Sequence, residues 1–140
     1  MMNEKEKRSL IEMAIEARLK SYSPYSKFSV GAAILTGSGR IYTGANVENA
    51  SYGLSICAER SAAVKAVNDS ERKFVAVACV GGSNDQLFYC SPCGACRQFL
   101  FEFNSETGTE IIGLDQNDKI ISDLLPNLLP KAFGPNNLNI

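Results

Sequence analysis

Apolar residues recur at helical spacing near the start of the chain. Leu10, Ala14 and Ala17 form one row, and Ile11, Ile15 and Leu19 form the next. This predicts a helix from Glu4 to Lys20, ending before Ser21-Tyr22-Ser23-Pro24 because Pro24 drives Ser23 out of helical space. Tyr22 and Tyr25 read as packing at the corner that follows. Phe28 to Thr36 and Arg40 to Val47 are apolar runs separated by Gly37-Ser38-Gly39, the pattern of a hairpin. From Cys57 to Asp69 a helix is predicted, with a face of small residues (Ala58, Ala62, Ala63, Ala66, Val67) suited to close contact with the sheet or a partner subunit. Lys73 to Gly82 reads as a buried strand and Gly81-Gly82-Ser83-Asn84-Asp85 as a loop. A third helix from Pro92 to about Phe103 follows, then a strand from Thr109 to Leu114 and a short edge strand from Lys119 to Ile121. Residues 124–130 read as irregular or as one helical turn. This order is that of an α/β fold, three layers α/β/α about a central mixed sheet. No linker divides it, so residues 1–140 read as one domain.

In α/β sheets, sites form where loops and helix N-termini meet outside the strand ends. Two cysteine stretches can converge there, Cys57-Ala58-Glu59 and Ser91-Pro92-Cys93-Gly94-Ala95-Cys96-Arg97-Gln98. Ser91 reads as an N-cap and Pro92 as a first helical residue, with Cys93 and Cys96 one turn apart on one face. A helix N-terminus favours thiolate, and thiolates at this spacing suit tetrahedral Zn²⁺ with Cys57 as a third ligand. The chain has no histidine, which excludes imidazole ligands. Three protein ligands leave a fourth position open, as in catalytic zinc sites, and Glu59 stands two residues from Cys57 to handle protons. The competing reading is a structural zinc on four of the five cysteines. Against it, Cys90 lies outside the helix, Cys79 has the surroundings of a small buried hydrophobe, and Glu59 would have no task.

These residues carry a resemblance. Cys57-Ala58-Glu59-Arg60 with Pro92-Cys93-Gly94-Ala95-Cys96 resembles the zinc nucleoside and nucleobase deaminases, in the branch whose first ligand is cysteine. With Asn46-Val47-Glu48-Asn49-Ala50-Ser51-Tyr52, the chain is similar to the small homotetrameric cytidine deaminases of pyrimidine salvage, from the first helix to Phe133. The resemblance implies a cytidine deaminase-like fold, a Zn²⁺ cofactor on Cys57, Cys93 and Cys96, and Glu59 as the catalytic acid–base. It also implies Arg60 beside the thiolates, and a nucleoside site drawing on Phe28, Asn46, Glu48, Tyr52 and the backbone near Ala58 and Ser91. Phe133 would close a neighbouring subunit's pocket. From the residues alone, Asn46 and Glu48 face one side of an extended segment, where they could meet ribose hydroxyls or simply satisfy turns. Arg60 and Arg97 are both open as partners for the sulfurs, with the motif favouring Arg60. The expected reaction is hydrolysis of cytidine, with 2′-deoxycytidine as a second substrate, to uridine or deoxyuridine and ammonia. A deaminase of an aminonucleoside antibiotic such as blasticidin S, or a non-catalytic zinc module, is the alternative.

Composition narrows the partners. Fourteen basic and fifteen acidic residues give a net charge of −1, without the basic cluster that a nucleic-acid polymer requires. The N-terminal segment has no apolar signal core, and no apolar run approaches membrane-spanning length. Five cysteines, an odd number, fit a reducing cytoplasm and metal or catalytic use better than a disulfide framework.

Overall fold

Asn3 and Glu6 start the first helix with reciprocal side-chain-to-backbone bonds, a capping box, in a computed structural model that describes residues 2–83 and 85–140. Helix α1 (Glu4–Ala17) continues as a 3₁₀ turn over Arg18–Lys20. Leu10, Ile11, Ala14 and Ala17 are buried as their spacing predicts, but the tighter turn swings Leu19 into solvent. Tyr22 and Tyr25 are both exposed, so the corner rests on Tyr22 backbone bonds to residues 46 and 48, while the Tyr25 ring meets that of Tyr52, edge to face.

The hairpin is β1 (Ser29–Thr36) with β2 (Ile41–Ala45), followed by α2 (Ala58–Asn68) and the central strand β3 (Phe74–Ser83). Next come β4 (Gln86–Phe88), α3 (Gly94–Phe101), β5 (Glu110–Leu114), β6 (Ile120–Leu124) and the single turn α4 (Leu125–Leu128). Among the described residues the sheet has six strands in the order β2-β1-β3-β5-β6, with β4 on β3. Only β3 and β5 run parallel; the other pairings are antiparallel, so the sheet is mixed. Layering follows from period-two alternation along the strands. Ala33, Ala76, Ala78, Val80 and Ile112 meet α1, whereas Ala32, Ile34, Phe74, Val77 and Ile111 meet the α2–α3 layer.

Two glycines set how closely the helices lie. A Cβ at Gly31 would fall 1.9 Å from the Ala14 carbonyl oxygen of α1, and one at Gly44 would fall 2.5 Å from the Ala62 amide of α2. The small-residue face of α2 is therefore spent on the sheet. Gly81, Gly82 and Ser83 do not form a loop: they pair with Phe88, Leu87 and Gln86. Asn84, within that expected loop, lies outside the described residues. Helix α3 begins two residues later than its motif suggests and stops at Phe101. No helix among the described residues is long and apolar enough to cross a membrane.

Candidate metal centre and its pocket

Cys57 and Cys93 are the N-caps of α2 and α3, and Cys96 lies in the first turn of α3. The capping role expected of Ser91 passes to Cys93, whose Sγ accepts the Cys96 amide at 3.5 Å. Ser91 Oγ instead accepts a hydrogen bond from Arg97, and Pro92 is buried just ahead of the helix. Because the two helices pack together, their starts coincide in space. The three sulfurs all lie within 4.8 Å of one another, with Cys57 and Cys93 3.9 Å apart. Sulfurs sharing a tetrahedral Zn²⁺ at about 2.3 Å stand about 3.8 Å from each other, so the set fits this metal.

The surrounding charge fits as well. Arg60 Nη2 donates to Cys57 Sγ at 3.5 Å, while Arg60 Nε is buried without a partner among the described residues. Arg97 is committed elsewhere, to the carbonyls of Pro92 and Leu128 and to Ser91. Hydrogen bonding from the Cys96 thiol, supported by Arg60 and Cys93, pulls the Cys57 pKa down to about 5. The same contact pushes the Cys96 thiol up. Without metal, one negative charge is thus concentrated on Cys57 and shared by its neighbours. Glu59 is only 3% exposed, and burial, reinforced by the Cys57 charge, holds its carboxyl above the ordinary range.

A cavity of about 260 Å³ opens on this cluster. Asn46, Glu48, Cys57, Ala58, Glu59 and Cys93 line it together with Val30, Ser55, Ile56, Cys90 and Ser91. The segment 46–48 is held between two others, by Tyr22 bonds on one side and by paired Val47–Ile56 bonds on the other. That clamp carries Ser55 and Ile56 into the wall. Sequence reasoning passed over both, since nothing in their types marks them except the extended approach to Cys57.

These observations converge with three comparisons. The model of the cytidine and deoxycytidylate deaminase zinc-binding region matches residues 4–109. The chain belongs to this family. It is 42% identical over 134 residues to the cytidine deaminase of Halalkalibacterium halodurans, covering 96% of this chain and 98% of that one. The corresponding enzyme of Sporosarcina psychrophila is 43% identical over 131 residues, 93% of each chain. In three dimensions the crystal structure of cytidine deaminase from Burkholderia pseudomallei superposes with a TM-score of 0.81 at 41% identity, covering 94% of this chain and all of that one.

The remaining residues singled out by the family pattern differ in whether they line this cavity. Phe28 does not line the cavity; its ring lies over Gly81 beside the cavity-lining Cys90, a Cβ at Gly81 falling 2.8 Å from the ring and 3.2 Å from Cys90 Sγ. Tyr52 is exposed on an adjoining hollow with Tyr25, Ser26, Glu48 and Ser55, its ring centroid 5.7 Å from that of Tyr25. Phe133 is 59% exposed and does not line its own chain's cavity; its carbonyl accepts from Gln98 at 2.9 Å. Asn46 and Glu48 have work inside the fold. Asn46 Oδ1 accepts from the Val30 amide and the Ser21 hydroxyl, and its Nδ2 donates to the Phe28 carbonyl. Glu48 accepts from the Tyr25 and Ser26 amides and the Ser26 hydroxyl, which keeps it a carboxylate of lowered pKa, with the Ser26 hydroxyl the largest cause.

Proposed function

We propose that this chain hydrolyses the 4-amino group of free cytidine, and of 2′-deoxycytidine, to release ammonia and uridine or deoxyuridine in pyrimidine salvage. The observation that carries the reading is one cavity lined by Cys57 and Cys93 of the three-thiol cluster, by the buried Glu59 and by the polar pair Asn46 and Glu48. Zn²⁺ held by Cys57, Cys93 and Cys96 supplies Lewis acidity that brings the pKa of water near neutrality. Glu59 accepts a proton from the water that adds to C4 and gives it to N3. A second proton passes by way of Glu59 to the amine, the C4–N bond breaks and ammonia leaves. A carboxyl with a pKa raised by burial suits this alternation between base and acid. Arg60 offsets the charge of the thiolates through Cys57.

Substrate positioning follows from unused valences. After its internal bonds, Asn46 retains one N–H, and Glu48 retains acceptor capacity on Oε2. A donor and an acceptor side by side match ribose hydroxyls. Phe28 offers a ring for the base, and the backbone at Ala58 and Ser91 offers polar groups to its edge. In this reading residues 1–140 act as one catalytic domain in the cytoplasm and assemble as a homotetramer. Exposed Phe133 then closes a neighbour's pocket, and Tyr52 contributes at the same rim. Ammonia release from cytidine by zinc-loaded protein, with blasticidin S in parallel, tests the assignment. Release from cytidine supports it; release from the antibiotic alone, or from neither, would replace it with the rival deaminase or with a non-catalytic zinc module.

A further inference from the structure

Two thiols are left over by the metal cluster, Cys90 in the cavity wall and Cys79 buried outside its lining. Along β3, Val77 faces the α2–α3 layer while Ala76, Ala78 and Val80 face α1. The same alternation turns Cys79 and Gly81 to the metal side. Cys90 reaches this place from the other direction, after β4 leaves the sheet. A methyl group at Gly81 would stand 3.2 Å from Cys90 Sγ, so this sulfur lies over β3 one step along the face from Cys79. Interaction between the two thiols is the first cause of a lowered pKa at Cys90 and a raised one at Cys79. Their access to solutes differs. Cys79 is 1% exposed, with the buried Glu59 carboxyl beside its thiol, whereas Cys90 lines the cavity that opens to solvent. One sulfur is reachable and the other stands behind it.

We propose that Cys79 and Cys90 form a peroxide-sensitive dithiol at the pocket wall, which closes to a disulfide and reversibly slows turnover. The oxidant is a hydroperoxide. Cys90 sulfur attacks its O–O bond and becomes a sulfenic acid, and the hydroperoxide is reduced to water or an alcohol. Cys79 sulfur then attacks the sulfenic sulfur; the S–S bond forms, the S–O bond breaks, and water carries away the Cys79 proton. In sum, two thiols give up two electrons and two protons. An S–S bond is about 2.05 Å long, much shorter than a non-bonded contact between sulfurs, so closure draws Cys90 toward β3. Ser91 and Cys93 follow Cys90 directly and line the same cavity, so the displacement passes to the wall and to the segment carrying two metal ligands. A misplacement of about 1 Å in an active site can cost about 10²-fold in rate.

The test treats the zinc-loaded, full-length protein with hydrogen peroxide. Disulfide-linked peptides, zinc content and ammonia release from cytidine are then followed before and after dithiothreitol. The expected result is a Cys79–Cys90 cross-linked peptide, unchanged zinc, and turnover lowered about 10²-fold and restored by reduction. Cys79→Ala and Cys90→Ala should each lose the cross-link and the part of the inhibition that dithiothreitol reverses. The peptide map of the wild-type protein decides the bond even where a variant folds poorly. Absence of that peptide, its presence with turnover unchanged, or zinc loss with cross-links among Cys57, Cys93 and Cys96 would each overturn the proposal.

Discussion

Glu59→Gln separates catalysis from stability at one position. The side chain is 3% exposed, so the amide keeps the volume and packing of the acid while losing the ability to exchange protons. Removal of a general acid–base group costs about 10²–10⁴ in rate, which corresponds to about 3–5 kcal/mol of lost transition-state stabilisation. Zinc should stay bound, because the thiols and not Glu59 form the cluster. The zinc-free protein should respond in the opposite sense. Burial, with the charge on Cys57 adding to it, raises the folded-state pKa of Glu59 above its unfolded value of about 4.3. The stability linked to its proton is fully present below the unfolded pKa and is lost as pH rises through the folded one. Glutamine carries no such proton, so the zinc-free variant should melt at a higher temperature than wild type at pH 8, with the advantage vanishing near pH 4. Ammonia release, metal content and thermal melts at the two pH values measure all three effects. Near wild-type turnover in the variant would refute the proton-shuttle role, and an equal melting difference at both pH values would refute the burial argument.

Other substitutions probe the rest of the site. Cys57→Ala, Cys93→Ala and Cys96→Ala should each lose zinc, whereas Cys79→Ala and Cys90→Ala should keep it; metal analysis of the purified variants checks the choice of trio. Arg60→Gln removes a donor to Cys57 Sγ, so alkylation of the zinc-free protein should show the Cys57 pKa moving up from about 5. Asn46→Ala leaves the Val30 amide and the Phe28 carbonyl without this partner, which should cost about 1–3 kcal/mol in chemical denaturation and raise KM for cytidine. Truncation before Phe133 should impair turnover while zinc stays bound; a monomer by light scattering that retains full activity would count against a shared pocket.

Much of the metal site was legible along the chain because its chemistry is local. Cys93 and Cys96 are one helical turn apart, and Cys57 and Glu59 are two residues apart, so each half of the set is local. Spacing alone leaves Cys90 and Cys96 open as partners of Cys93, and the fold brings Cys57, Cys93 and Cys96 together. Helices α1 and α2 and strands β1, β3 and β5 were likewise visible from periodicity, which depends on which face of each element is buried. Tertiary structure decided what sequence spacing cannot express. Strand β4 is three residues long and exists because Gly81, Gly82 and Ser83 offer it a free edge, whereas glycines in sequence read as a turn. Cys93 displaced Ser91 as the cap because the cap belongs to whichever residue the packed helix starts from, and Ser91 was taken by Arg97. Arg60 and Arg97 are alike as residues; only the orientation of two packed helices sends one to sulfur and the other to carbonyl groups. Asn46 and Glu48 proved to be both fold-holding and pocket-lining, since the backbone groups they satisfy lie about 15 or more residues away in sequence and come within reach only once the chain has folded back.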